Sequence, residues 1–444
     1  MKNFKFKNVL GITSLAVASV AAVSCSQNDE VVPLGDNTRA ATVVNVSGII
    51  DTNTSWNAAN EYHLSGKVYV TNGATLSIGA GTKIVGKYNA DPAEASALII
   101  TRNGKINAVG TASSPIVMTA EANHQTPGGW GGFVVLGNAP INQTETQYIE
   151  GIEVGSVPAG IDVSYGGNVS NDNSGTIQYV RVEYAGANVS QDNELNSFTF
   201  GGVGSGTTFD HCQAYYGEDD AFEFFGGTIN AKYLVSTSTH DDAFDFDFGF
   251  TGTLQFLVAT VDAKSTFYTK DPNGIECDND KSGSPLTPFT HPKISNLTIV
   301  GTSNGKVAES AMDDKVSMKS AANFRRNCKF TLVNSILYGY PTGILGETSN
   351  SYVFKNNVVN GVSTTFSGIT ADATNTAATS VAAIGLTSPW GTAYRGVALQ
   401  PKATSSIATG ASFAGLSGFT SVAYQGALAP VGQTNWLGEG TWVK

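Results

Sequence analysis

The sequence predicts an all-β protein: a right-handed parallel β-helix, a solenoid, with an irregular C-terminal cap. Three observations predict it. Residues 217–227 (GEDDAFEFFGG) and 239–249 (THDDAFDFDFG) repeat one motif at an offset of 22 residues. Short alternating strands broken by Gly- and Asn-rich turns recur from about residue 43 to 370, with no convincing amphipathic helix. Charged residues make up 14% of the chain and glycine 50 of 444 residues, against roughly 25% and 7% in ordinary soluble domains.

In chain order, the first element is a leader. Lys2, Lys5 and Lys7 precede an apolar run from Val9 to Val23. A permanent membrane span needs ~20 such residues, so residues 1–24 read as a cleavable signal peptide. Ala22-Val23-Ser24-Cys25 resembles the lipobox of bacterial lipoproteins, which implies a covalent lipid on Cys25; ordinary cleavage near Ser24 with a spare thiol is the alternative. Residues 25–42 read as a flexible tether. Its acids Asp29 and Glu30 loosely resemble a surface-export signal, or simply solvate a tether held in the periplasm.

Residues 43–380 carry the solenoid. The strands before the matched motifs align at the same offset, Cys212 with Leu234 and Ala214 with Ser236, and FTFGG (198–202) precedes FEFFGG by 24. IQYVRVEYAG (177–186) resembles FDHCQAYYG (209–217) across a loop insertion, and the strands at 294–301, 330–339 and 352–361 continue the alternation. A period of 20–25 residues indicates a solenoid, and the leucine and asparagine spacing of leucine-rich repeats is missing. A β-sandwich also suits short strands, but not an equal-length repeat. Strand parity places Phe222, Phe224, Phe244, Phe246 and Phe248 inward as an aromatic ladder, with Glu223, Asp245 and Asp247 outward. Cys212 reads as a small buried hydrophobe; Cys277 and Cys328 either pair as a disulfide or stay free.

Residues 381–444 lose the register and carry Trp390, Tyr394, Tyr424, Trp436 and Trp442 among Gly and Pro. Solenoids need end caps, and this segment is expected to be one. Gly129-Trp130-Gly131-Gly132-Phe133, the two Asp-Asp-Ala-Phe units, Gly274-Ile275-Glu276, Tyr424-Gln425-Gly426-Ala427 and Trp436 together resemble a group of Bacteroidota outer-membrane lipoproteins with a pectin-lyase-like β-helix. The resemblance spans most of the mature chain. It implies the fold, an outer-membrane, cell-surface location and an association with TonB-dependent receptors. It implies no settled activity.

The acidic ladder is the candidate site. In a 22-residue register Asp219 and Asp220 stack over Asp241 and Asp242, and Glu223 over Asp245, with Asp247 alongside. Like charges about 5 Å apart repel by under ~1 kcal/mol in water but by several at an effective dielectric near 20. Calcium, which takes six to eight oxygens in flexible geometry, would relieve that repulsion. Capping of turn amides by Asp and an outward face either plainly solvated or paired with Lys232 and Lys264 are the competing readings. Glu276 and Asp278 extend the patch by one coil. With Tyr215 and Tyr216, which alternation sends to opposite faces, they are expected to bind ligand. His240 and His211 lie nearby in sequence but show no zinc spacing. Trp56, Trp130, Tyr268 and Tyr338 are further candidates for exposed aromatics, although Trp130, flanked by glycines, is expected to pack at a coil corner ahead of binding a ligand.

The net charge of −11 and the lack of a basic cluster argue against nucleic acid. The middle coils offer Arg181, Lys232, Lys264 and Lys270 as basic residues, none in a recognisable lyase motif. The leading reading is therefore a surface-tethered, non-catalytic protein that binds a glycan, another extracellular ligand or an outer-membrane receptor. A polysaccharide-active lyase or glycosidase using the acidic patch is the rival, and a structural surface protein the third.

Overall fold

A computed structural model describes residues 41–190, 193–265, 272–307, 318–347, 351–391 and 396–444. The leader, Cys25 and all but the last two residues of the tether lie outside them, as do Tyr268 and Lys270. From Thr42 to Ala377 the chain winds as a parallel β-helix with three faces. Strands of successive coils pair in parallel, as a solenoid requires to satisfy both its backbone and its core. Among the described residues no helix is long and apolar enough to cross a membrane.

The front face stacks Phe198–Gly201, Phe222–Phe225, Phe244–Asp247, Glu276–Cys277 and Ser320–Phe324. The other two faces are made by single strands bent in the middle: Thr208–Tyr215, Asn230–Thr237, Thr253–Thr260 and Lys293–Val300. The sequence alignments are realised residue for residue. Phe198 pairs with Phe222 and Phe222 with Phe244, Cys212 with Leu234, Ala214 with Ser236, and Ile177 with Phe209.

Parity correctly places the aromatic ladder. Phe198, Phe222 and Phe244 stack at 5.0 and 5.5 Å, and Phe200, Phe224 and Phe246 at 5.2 and 5.4 Å, with near-parallel rings. Each buried ring contributes about 2–3 kcal/mol by removal from water. Phe248 is a correction to the expected inward set. Its φ of 49° ends the alternation, so the ring turns out against Phe225 at 5.7 Å. Phe250 takes the inward place, 4.9 Å from Phe224 and 5.1 Å from Phe246.

The bend in each two-face strand is one residue in the left-handed region: Tyr179, His211, Tyr233, Phe256 and then Asn296, Asn334 and Asn356. Such a conformation is costly for non-glycine residues. Stacking offsets it here, since the rings of Tyr179, His211, Tyr233 and Phe256 lie 4.4–5.1 Å apart in one outward column. The C-terminal segment packs along this corner and the adjoining flank. Trp442 meets Tyr179 and His211, Trp436 meets Tyr233, and Tyr424 meets Phe256. Asn296 donates to the Tyr424 carbonyl, Gln255 exchanges two bonds with Thr420, and Arg181 donates to the carbonyls of Thr441 and Trp442. The segment read as an end cap thus shields the outer flank of the solenoid.

A long insertion between Leu136 and Gly175 folds over the front face. Its short antiparallel pair, Gln147–Tyr148 and Ser164–Tyr165, carries Ile149, Ile152, Val163 and Tyr165 onto Val134, Leu136, Leu195 and Phe225. Gly201 makes this approach possible, because a Cβ there would lie 2.7 Å from the Tyr165 ring. Cys212, Cys277 and Cys328 are buried and free.

Candidate functional site

The outward positions of the front face form two columns. One runs Thr199, Glu223, Asp245, Glu276, Asn323. The next pairs Phe225 with Asp247 and continues with Asp278. A third line is the coil corner just before the strands. There Asn196 accepts the Asp220 amide at 3.0 Å and Asp220 accepts the Asp242 amide at 2.8 Å. Asp242 in turn accepts the Asn273 amide at 2.6 Å, and Asn273 accepts the amide and hydroxyl of Ser320. Asp220 and Asp242 therefore cap turn amides, each with one oxygen.

The acids are not a solvated face. Asp219, Asp220, Glu223 and Asp242 are each 4–7% exposed, because the inserted segment and the corner loops wall the column. Carboxylate oxygens of Asp220, Glu223 and Asp245 lie within 4.8 Å of one another, as do those of Asp219, Asp220 and Asp241. Burial first, and neighbouring carboxylates second, push Asp220, Glu223, Asp242 and Asp245 well above the usual carboxylate range. Burial likewise raises Asp247, opposed by the Phe248 amide that it accepts. Asn196 donates its side-chain amide to Glu223. The inner oxygen Oδ1 of Asp245, the Thr199 and Ser197 hydroxyls and the Tyr165 hydroxyl are buried without a hydrogen-bond partner. Glu223 and Asp247 add to burial in raising the Tyr165 phenol.

Positive charge enters at the far end of the columns. Arg325 pairs with Glu276 and with Asp278 at 2.9 Å, and Arg326 reaches Asp278 at 2.7 Å. Burial raises Glu276 and Arg325 opposes the rise; the Arg325 guanidinium is itself held protonated by Asp278 and Glu276. Nothing in the local sequence marks these two arginines as part of the site. The loop after Asp278 hides the register, and only the stacking of Glu276 under Asn323 reveals that Arg325 falls beside Asp278.

The structure brings together Asp219, Asp220, Glu223, Asp241, Asp242, Asp245, Asp247, Glu276 and Asp278. It separates Tyr215 and Tyr216 from them. Both tyrosines lie on the flank, and their rings are 4.7 Å apart on one side. The expected split to opposite faces fails because Tyr216 has a φ of 53°. Lys232 is no partner of the acids, since it donates to Thr420. His211 belongs to the corner column, and buried His240 sits 3.6 Å from Glu218. Trp56 and Tyr338, candidates for the surface, are core, and Trp130 is packed inside, as its small neighbours suggest. Trp130 donates to the Glu183 carbonyl at 2.8 Å, Trp56 stacks on Tyr62, and Tyr338 donates to the Pro389 carbonyl.

A family model described as a pectate-lyase-like beta helix domain matches residues 48–402. No curated protein and no solved structure matches the chain.

Proposed function

From a chain that belongs to the pectate-lyase-like β-helix family, a fold that by itself fixes no activity, we propose a cation-dependent binding protein. In this reading the recess formed by Asp220, Glu223 and Asp245 holds calcium, and the cation recruits an extracellular ligand that brings its own anionic oxygens. The observation that carries it is a trio of carboxylates within 4.8 Å, Asp220 and Glu223 buried and Asp245 half-buried with a buried, unpartnered oxygen. Oxygens bound to one calcium ion at 2.3–2.6 Å lie no farther apart than about twice that distance, so the donor set fits the ion. Asp219 and Asp241 offer further oxygens beside Asp220. The capping bonds leave Asp220 its second oxygen for this purpose.

A binding role is favoured over bond cleavage by the state of the nearby bases. Arg325 is tied to Glu276 and Asp278, and their charge opposes its deprotonation. The same logic holds for any lysine placed beside this much negative charge. Outside the described residues, the leader and Cys25 support export and lipid attachment at the outer membrane. An acidic glycan or a TonB-dependent receptor would meet the protein there.

Calcium titration of the purified chain, followed by calorimetry, tests the recess. Saturable binding lost in Asp220→Asn and Glu223→Gln is expected; absence of heat, or heat unchanged in both variants, overturns the cation reading. Release of cleaved products from an acidic polysaccharide by the purified protein would replace binding with catalysis. Palmitate labelling lost in Cys25→Ser tests the anchor.

A further inference from the structure

On the flank, away from the acids, we propose a second binding site that takes a neutral oligosaccharide. It is a cleft of about 800 Å³ lined by Tyr215, Tyr216, Thr237, Asp262, Trp390 and Lys444, among others, within the size range of small-ligand sites. This inference does not rest on the cation reading.

The floor follows from the register. Tyr215, Thr237, Thr260 and Val300 are successive rungs of one column, so the floor runs roughly 15 Å along the axis at about 4.8 Å per coil. That length suits a short oligosaccharide lying along the solenoid. Left-handed residues at Tyr216 and Ser238, with φ of 53° at both, splay the chain away just beyond the rungs and open one wall. The other wall comes from the C-terminal segment through Trp390 and Lys444. Trp390 is 41% exposed although its ring packs edge-on against Tyr338 at 5.3 Å.

The chemistry of the lining selects the ligand class. Two of the three charged side chains in the lining, Asp262 and Lys444, are already compensated, and the third, Lys264, is exposed to solvent. Asp262 accepts the Tyr216 hydroxyl at 2.7 Å and the Lys264 amide at 2.9 Å. The Lys444 ammonium lies 3.0 Å from Glu183 and sits over the rings of Tyr184 and Tyr215. A charged ligand would have to displace one of these pairs or rely on the exposed Lys264, where a solvent-screened ion pair is worth little. Beyond these pairs the cleft offers aromatic surface and the hydroxyls of Ser303, Thr237 and Ser238; Thr237 and Ser238 already accept bonds from Gln213 and the Asp262 amide and keep their own protons to donate. Aromatic faces carry negative potential and attract polarised C–H groups, which a sugar ring presents on one side while its hydroxyls hydrogen-bond at the edge. A wholly apolar ligand would strand the hydroxyls, and an anion would meet Asp262.

The test is binding of cello-, xylo-, malto- and mannohexaose to the full chain, read by saturation-transfer NMR and tryptophan fluorescence. Saturable binding of at least one sugar is expected, weakened tenfold or more by Trp390→Ala and by Tyr215→Ala, and equal in calcium and in chelator. Trp390→Ala truncates an exposed ring, so its melting curve should match the parent. No saturable binding of any of the four overturns the proposal. So does binding that both variants leave intact, and so does binding lost in chelator, which would move the sugar to the acid recess.

Discussion

Replacing Glu223 with glutamine keeps the side chain's shape and removes one of three carboxylates whose oxygens lie within 4.8 Å. At that separation and an effective dielectric near 20, each ionised pair repels by about 3.5 kcal/mol. Three such pairs approach the whole stability of a domain, so in the absence of a cation at least one acid must hold a proton near neutral pH. Keeping a carboxyl protonated at pH 7 costs about 3.4 kcal/mol, which sets the ceiling on what the substitution recovers. In chelator at pH 7 Glu223→Gln should therefore stabilise the protein, by about 1–3 kcal/mol. The sign with pH follows from the raised native pKa values of Asp220, Glu223, Asp242 and Asp245. The folded chain binds more protons than the unfolded one, so stability falls as pH climbs from the ordinary carboxylate range toward the native values and levels off above them. Calcium at a hundredfold excess over its Kd returns about 2.7 kcal/mol, and the glutamine variant should lose that response. For a chain of this length the melting temperature moves only about 1 °C per kcal/mol. Hydrogen exchange across residues 217–247 is accordingly the sharper assay. A parent protein whose protection from exchange, relative to the intrinsic rate at each pH, is flat from pH 4 to 7 in chelator, indifferent to calcium and matched by the variant would refute the reasoning.

Three further outcomes are expected. Phe224→Ala empties a site between Phe200, Phe246 and Phe250 and should cost about 3–5 kcal/mol, measured by denaturant unfolding. Gly201→Ala puts a methyl 2.7 Å from the Tyr165 ring and should lift the inserted segment, seen as faster exchange at residues 141–165; unchanged exchange would mean that the segment does not rest on Gly201. Trp442→Ala removes a fully buried ring between Tyr179, His211 and Trp436 and should cost a further 3–5 kcal/mol, making residues 399–444 the first target of limited proteolysis.

The architecture was legible because a solenoid writes its register into the sequence. When coils of equal length stack, the residue above Phe222 is the one 22 later, and alternation alone decides that Phe222 and Phe224 point inward while Glu223 points out. The acidic columns were legible for the same reason. Parity failed wherever the backbone left the extended region, as at Phe248 and Tyr216. Nothing in the local residue types marks those two positions as left-handed, since neither is glycine or asparagine.

Burial is what only the tertiary structure decided. Outward on a strand means exposed only if nothing lies on top, and here a segment inserted some sixty residues earlier covers the front face and brings Tyr165 over the Glu223 column. Long-range closure likewise supplied Arg325 to Asp278 across a loop of unrepeated length, and laid the C-terminal tryptophans on the corner column. The repeat fixes neighbours one coil apart; contacts made by insertions and tails have no period, so their partners emerge only when the chain is folded.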